Sequence, residues 1–499
     1  MFIGIQDEDL THYMYLITSF PIIRTDEHGL KVLKASVKEN TNPLNYCNII
    51  SQQFKTLFDK YSVNYTDYIR TTEERHSAAV SKFFETLEAQ GCIYKSEYEG
   101  WYCSTEESFI TAKETKTIVK DGKEITVNAT NDQPVEWSSE VNYLFKLKDF
   151  QSELLYWLRK KDRVVPRRFQ EELTTWISNG LHDLSISRPR LRVPWGIQVP
   201  GDKDQTIYVW LDALVNYLTV SGYPELRCWP PNLQVIGKDI LRFHGIYWPA
   251  LLMAANLEPP EKLLVHCHLM VNDMKMSKSL GNVVCPISLL DNFSPDSVRY
   301  VLLRMNTFHS DGAWCDETAA QCANSELANT LGNLLNRCTA PSLNPQQEMP
   351  VLDDEYLATS SSTCRKLLSE IERLSDEVET HFANFHFNVG IDVIMNMVRT
   401  ANLFIEEEKP WKLKDNPDRR NIDSILFIGL LTIRSAAICL QPIVPDYASK
   451  LLNMLNIPLD RRKKRFNMTE SNVISSGYHS SWRRNIPRIH KRVGASKYA

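Results

Sequence analysis

Apolar positions along the chain recur with two different periods, and the change between them divides it. From Glu317 onward they return every three or four residues, the spacing of a single helix face. The pattern predicts helices over Thr318–Ala340, Asp353–Asn384, Asn388–Glu407, Arg420–Gln441 and Pro445–Leu455, with Pro341, Pro350, Pro410, Pro417 and Pro442 as punctuation. Before that point apolar residues come in short runs bounded by turn formers. Ile22 and Ile23 run into an acidic turn, Asp26-Glu-His-Gly29, and then a helix-like stretch. Another helix opens after Arg70 with a threonine cap and continues through Phe83, Phe84 and Leu87. Thr206–Ala213 reads as a buried strand followed by helical Leu214–Tyr223. Leu233–Asp239 reads as a second strand, Ile240–Asn256 as a helix and Lys262–Val271 as a third strand. Strand and helix alternating in this way describe half of a parallel sheet with crossovers. From about Tyr94 to Pro200 the texture is different. Tyr98–Cys103 is aromatic and β-like, and Lys116–Asn128 alternates as a hairpin around Asp121-Gly122, so this stretch reads as an inserted subdomain.

Length and composition refine this picture. The 499 residues suffice for about three domains, and 43% hydrophobic with 24% charged residues is ordinary for a globular protein. A net charge of −4 offers no global attraction to nucleic acid, so any RNA contact must be local. One basic patch exists: Leu459 to the end holds eleven Lys or Arg against two acids, including Arg461-Arg-Lys-Lys-Arg465. Eleven cysteines without C-x-x-C spacing argue for a reducing compartment and against a disulfide framework or a zinc knuckle. The longest apolar run, Ile425–Ile433, ends at Arg434 and falls short of a membrane span, so no membrane partner is expected. No Lys or Arg precedes Arg24, and Asp7, Glu8 and Asp9 stand together, the opposite of a transit peptide.

The stretch with the most chemistry is Met274-Lys-Met-Ser-Lys-Ser-Leu-Gly281. It places Lys275, Ser277 and Lys278 in a loop after a strand, where α/β folds bind nucleotides and lysines meet phosphate. A solvated surface loop is the plain alternative. Asp26 and His28 would lie at a strand's carboxyl end, or Asp26 would be only a helix cap. Asn333 and Arg337, four apart, share a helix face, and Trp411 follows a break at Lys409-Pro410, a place where tryptophan commonly packs. His266 and His268 would share one face of the third strand with Cys267 on the other, which disfavours a common metal. Cys103 alone cannot hold structural zinc.

Lys275-Met-Ser-Lys-Ser279 resembles the ATP-loop signature of class I aminoacyl-tRNA synthetases. Thr25-Asp-Glu-His-Gly29, Tyr208-Val-Trp-Leu-Asp-Ala213, Gly237-Lys-Asp-Ile-Leu-Arg-Phe-His244, the stretch Leu327–Cys338, and Lys409-Pro-Trp411 are similar to segments of the methionyl-tRNA synthetase family, in that family's order. Tyr98-Glu-Gly-Trp-Tyr102 without a zinc knuckle resembles the mitochondrial branch. The resemblance spans roughly residues 24 to 455. It implies a Rossmann-like α/β class I catalytic domain with a connective insertion, followed by an all-α anticodon-binding helix bundle. The implied division is 1–93, a remnant of the first Rossmann half; 94–200, the insertion; 201–315, the second half with its lysine loop; 316–457, the anticodon-binding bundle; and 458–499, a basic tail. It implies ATP-dependent activation of methionine to methionyl-adenylate and transfer to tRNA(Met), with Mg2+ assisting and no structural zinc, in a monomer.

Residue roles follow from the same resemblance. Asp26 would accept the α-ammonium. Trp210, Ala213, Tyr217, Ile240 and His244 would line the methionine pocket, where an aromatic wall suits a thioether. Gly237 would admit the ATP backbone contact, Asp239 would bond the ribose, Ser277 would line the ATP loop, and Lys275 and Lys278 would neutralise phosphate charge in the transition state. Asn333, Arg337 and Trp411 would read the CAU anticodon by edge contacts and stacking. Leucine, isoleucine or valine enzymes of the class are disfavoured by the short insert. The resemblance implies the mitochondrial matrix, whereas the absent transit peptide implies the cytoplasm for the sequence as it stands.

One feature departs from the family. Class I enzymes carry an H-x-G-H signature, and none of the twelve histidines here forms one. The expectation is a truncated or alternatively spliced chain with weak turnover, since losing one such donor set costs about 10²–10³ in rate. A synthetase-like tRNA-binding protein is therefore the competing expectation.

Overall fold

A computed structural model describes residues 21–462, apart from 104–107, 111–114, 121–122, 130–131, 272–273 and 277–280. Among the described residues the first strands form a parallel pair, Ile22–Thr25 beside Asp67–Arg70. The helices Leu30–Lys38 and Pro43–Lys60 cross between the two strands, and the second starts with Asn42 accepting from the Asn45 amide. Helix Glu74–Ala89 then buries Val80, Phe83, Phe84 and Leu87, as their spacing predicts. Its cap differs from expectation. Glu73 occupies the N-cap position without a side-chain capping bond, and both threonines are engaged with Glu27: Thr71 accepts from its amide and Thr72 donates to its carboxylate.

The second half is built on a three-stranded parallel sheet, Gln234–Gly237, Leu263–His266 and Val164–Val165 in that order. Several expectations are corrected here. The strand before Trp210 ends early: Asp202–Ile207 lies in a separate antiparallel sheet with Ser187–Pro189 and Gln198–Val199, and Val209–Val220 is a helix. Tyr208 caps that helix in extended conformation, so the apolar run that reads as one strand is half strand and half buried helix, which periodicity alone does not separate. The third strand also divides. Leu263–His266 stays in the parallel sheet, while Leu269–Val271 joins Gly312–Ala313 and Met274–Lys275 in another. His266 and His268 therefore do not share the face of one continuous strand. The helix expected over Ile240–Asn256 is a 3-10 turn at Lys238–Ile240, a π-helical segment Phe243–Tyr247 and an α-helix Trp248–Ala254.

The β-like stretch forms a long antiparallel ribbon, Ile93–Cys103 against Glu136–Phe145, and the hairpin Thr115–Lys120 with Lys123–Asn128. Helices Gln151–Lys160 and Arg167–Ser178 leave this ribbon and put Leu154, Trp157, Leu158, Phe169, Leu173 and Ile177 into the same core as the parallel sheet.

The final region is an all-helical bundle around Ser362–Ala383, Phe387–Glu408, Arg420–Leu440 and Pro445–Met454. The predicted helix over Asp353–Asn384 is interrupted at Ser360 and Ser361, where Ser361 caps the longer piece by accepting from the Cys364 amide. The helix Arg420–Leu440 is long and apolar enough to cross a membrane, because Arg434 does not end it, but 94% of its apolar window is buried within the bundle. Arg299 fastens the bundle to the rest of the chain through the carbonyls of Ile443, Pro442 and Tyr61. Tyr447 adds a backbone N–H donated to buried Asp296.

Candidate active site

The site starts from the turn Asp26–Gly29. Gly29 has φ of 98°, a conformation that favours glycine, and it starts the following helix. The turn is tied on every side. The Gly29 amide donates to the Trp195 carbonyl at 3.0 Å, and the Trp195 indole N–H donates to the Glu27 carbonyl at 2.7 Å. The Glu27 carboxylate is buried and takes Arg70 through Nε at 2.8 Å and Nη2 at 3.0 Å. His28 Nδ1 lies 2.6 Å from Asp212 Oδ2, and His76 Nε2 lies 2.7 Å from Asp212 Oδ1. Burial pushes the Asp212 carboxyl up, but the bonds from His28 and His76 prevail and hold it below its usual value. It is a buried carboxylate between two imidazoles, and it joins the turn to helix Val209–Val220.

That helix also carries Ala213 and Tyr217 to a second group of contacts. Ala213 is buried and Tyr217 is half-buried on its inner face. The Tyr217 hydroxyl lies 3.1 Å from His244 Nε2, and His244 Nδ1 lies 3.0 Å from the Ile240 carbonyl oxygen. A carbonyl only accepts, so Nδ1 carries the proton and Nε2 accepts from the tyrosine. Burial first, and then nearby Arg24, press the His244 pKa down to about 3, so the ring is neutral. Trp210 stacks on Phe243 with centroids 3.8 Å apart at 16°. Asp26, Ala213, Tyr217, His244 and the Ile240 carbonyl are thus joined in one cluster through Arg24 and the Tyr217–His244 bond.

A second cluster lies at the carboxyl ends of the parallel strands, where Gly237 pairs with His266. A Cβ on Gly237 would meet Asp239 Oδ1 at 2.5 Å, so its nearest neighbour is that carboxylate. The Asp239 side chain is 57% exposed and lies 3.8 Å from His268 Nε2. Lys238 holds Asp311 at 2.7 and 2.8 Å, and Asp311 accepts the His268 amide. Burial, then Lys275 and Lys238, keep His268 below its ordinary pKa. Lys275 sits exposed in the short strand Met274–Lys275; Ser277 and Lys278 lie outside the described residues.

In the bundle, Asn333 and Arg337 are exposed on helix Gly332–Cys338. Arg337 pairs with Glu406 at 3.5 Å, near the end of the helix that precedes Trp411. Lys409 turns that corner with φ of 49°, and Trp411 is 37% exposed. The basic tail beyond 462 lies outside the described residues. Among the described residues no group of three His, Cys, Asp or Glu could hold a metal ion.

Several residues of this site were not singled out by the sequence. Arg24, Asp212, His76, Trp195 and Phe243 carry no local signature, since their partners lie far along the chain. Only Asp212 had a signal, an acid inside the apolar run Tyr208–Ala213.

Comparison with known proteins gives a consistent answer. A family described as tRNA synthetases class I (M) matches residues 18–339. The chain is 43% identical over 440 residues to the mitochondrial methionine–tRNA ligase of Xenopus laevis, covering 87% of this chain and 78% of that protein. It is 41% identical over 455 residues to the mitochondrial enzyme of Homo sapiens, covering 88% and 77%. Among solved structures it is similar to Mycobacterium tuberculosis methionyl-tRNA synthetase bound by methionyl-adenylate, with a TM-score of 0.83 and 33% identity over 89% of this chain and 87% of that one.

Proposed function

Because the chain belongs to the class I tRNA synthetases specific for methionine, we propose that its two clusters divide the family's reaction between them. The chain is a methionine–tRNA ligase: methionine is activated by ATP to methionyl-adenylate and passed to tRNA(Met). The pocket of Asp26, Trp210, Ala213, Tyr217, Ile240 and His244 takes methionine. Asp26 accepts the α-ammonium, and the neutral His244–Tyr217 pair presents no charge to the thioether. Gly237, Asp239, Lys275, Ser277 and Lys278 take ATP at the edge of the parallel sheet, with the lysines drawing charge from the phosphates as the adenylate forms. Mg2+ would arrive on those phosphates, where it screens their charge.

The bundle 316–457 would take the CAU anticodon through Asn333, Arg337 and Trp411, and the basic tail 458–499 would add phosphate contacts. The protein would act as a monomer, and its mitochondrial relatives favour the mitochondrial matrix.

What supports this reading is that Asp26, Ala213, Tyr217 and His244, from three distant segments, are joined in one cluster of contacts through Arg24 and Tyr217. Methionine-dependent ATP–pyrophosphate exchange tests it: the Asp26→Asn and Lys278→Ala variants should lose exchange, and unchanged rates would reject their roles.

A further inference from the structure

The methionine pocket already contains a cation, and the chain supplies it. Arg24 is the third residue of strand Ile22–Thr25, and its side chain runs inward to the pocket, 12% exposed. Its Nη1 donates to the Ala213 carbonyl at 3.1 Å. The guanidinium carbon stands 5.0 Å from the centroid of the Tyr217 ring. Its Nε lies 3.6 Å from Asp26 Oδ1. A carboxylate, a carbonyl oxygen and an aromatic face are the three kinds of group that together recognise an organic cation. Burial works against the charge, but Asp26, Tyr217 and Asp212 outweigh it, so the guanidinium stays protonated.

The α-ammonium of an amino acid is a cation of the same class and seeks the same carboxylate. The Ala213 carbonyl is shared as well, since the Asn216 amide also donates to it. Two cations cannot both take Asp26 and the face of Tyr217 within one small pocket. We propose that Arg24 is an affinity-determining residue of the amino-acid subsite, holding the ammonium position with its own guanidinium so that methionine binds by displacing it. The proposal rests on the reading of Asp26 as the ammonium acceptor.

The consequence is a lowered apparent affinity. Methionine meets a competent pocket only in the fraction of molecules whose Arg24 has swung away, and the dissociation constant rises by the inverse of that fraction. One ion pair, one hydrogen bond and one cation–π contact, offset by the cost of keeping the guanidinium buried, correspond to roughly tenfold.

Titration calorimetry of the 499-residue chain with L-methionine tests this without any need for turnover. Arg24→Ala should bind methionine roughly tenfold more tightly than the parent. Arg24→Lys, which restores a cation on a flexible stem, should return to the weaker binding. Should Arg24→Ala melt at lower temperature than the parent, Arg24→Met keeps the apolar stem and is measured in its place. Equal or weaker binding by a folded neutral variant overturns the proposal. If binding ignores Arg24 but is lost in Asp26→Asn, the pocket assignment stands and the displacement fails. If no variant binds methionine, both fall.

Discussion

Replacing Asp212 by alanine removes a buried carboxylate that joins the Asp26–Gly29 turn to the helix Val209–Val220. Both of its oxygens are used, one by His28 at 2.6 Å and one by His76 at 2.7 Å, and the carboxylate is 1% exposed. A hydrogen bond to a charged group contributes about 1.5–3 kcal/mol, and losing two that share one acceptor should cost about 3–5 kcal/mol. Asparagine should cost less, about 1–3 kcal/mol. His76 can answer it by changing tautomer, with Nδ1–H turned to the Thr219 hydroxyl 2.9 Å away and bare Nε2 accepting the new amide N–H. Urea unfolding at pH 7.5 measures the difference. The carboxyl is held below its usual range, so the stability it contributes is present above about pH 4, the unfolded value, and is lost as pH falls through the folded one. The gap between parent and Asp212→Ala should therefore persist from pH 7.5 down to about 4 and close below it. Methionine binding should weaken as well, because the turn bearing Asp26 loses its tie to the helix bearing Ala213 and Tyr217. A loss under about 1 kcal/mol, or alanine and asparagine behaving alike, would refute the two-imidazole account.

Other positions give independent tests. Burial pushes the Asp296 carboxyl up to about 6, so its protonated form stabilises the fold at low pH and that contribution is lost as pH rises from about 4 to 6. Asp296→Asn should raise the urea midpoint at pH 7.5, by an amount on the order of 2–3 kcal/mol, and leave it nearly unchanged at pH 4.5; the same gain at both would contradict the assignment. His244 has the opposite sign of dependence. With its folded value near about 3, stability falls as pH drops from about 6.5 toward 3, by about 2 kcal/mol at pH 5, and His244→Gln should flatten that slope. In the bundle, Trp411→Ala should weaken tRNA(Met) binding by about 1–3 kcal/mol with little change in salt dependence, as expected for lost base stacking. Unchanged binding would remove Trp411 from the anticodon surface.

Much of the architecture was legible because it rests on local pattern. The bundle helices lie within a residue or two of their predicted bounds over Phe387–Glu408, Arg420–Leu440 and Pro445–Met454, since a helix face needs only neighbours three and four residues away. The strands Ile22–Thr25 and Gln234–Gly237 and the Tyr98–Cys103 part of the long ribbon were visible as short apolar or aromatic runs, whereas its partner strand Glu136–Phe145 was not. Where the run was uniformly apolar, the reading failed. Thr206–Ala213 is strand and helix in succession, and Lys262–Val271 splits between two sheets at Cys267, because burial on all sides erases the periodicity that distinguishes them.

The sequence by itself determined the family and the kinds of residue in the site. The order of its short segments points to Asp26, Trp210, Ala213, Tyr217, Ile240 and His244 together. Only the tertiary structure decided what those residues do to one another. The His244 tautomer is set by a carbonyl four residues back and a hydroxyl from another helix. The anchoring of the turn depends on Asp212, 184 residues from His28 and 136 from His76. Arg24, an unremarked cation in the chain, becomes the occupant of the pocket through a contact with Ala213 spanning 189 residues. Periodicity reaches only a few residues along the backbone, whereas charge, desolvation and hydrogen bonding act across space between groups that the chain order leaves far apart.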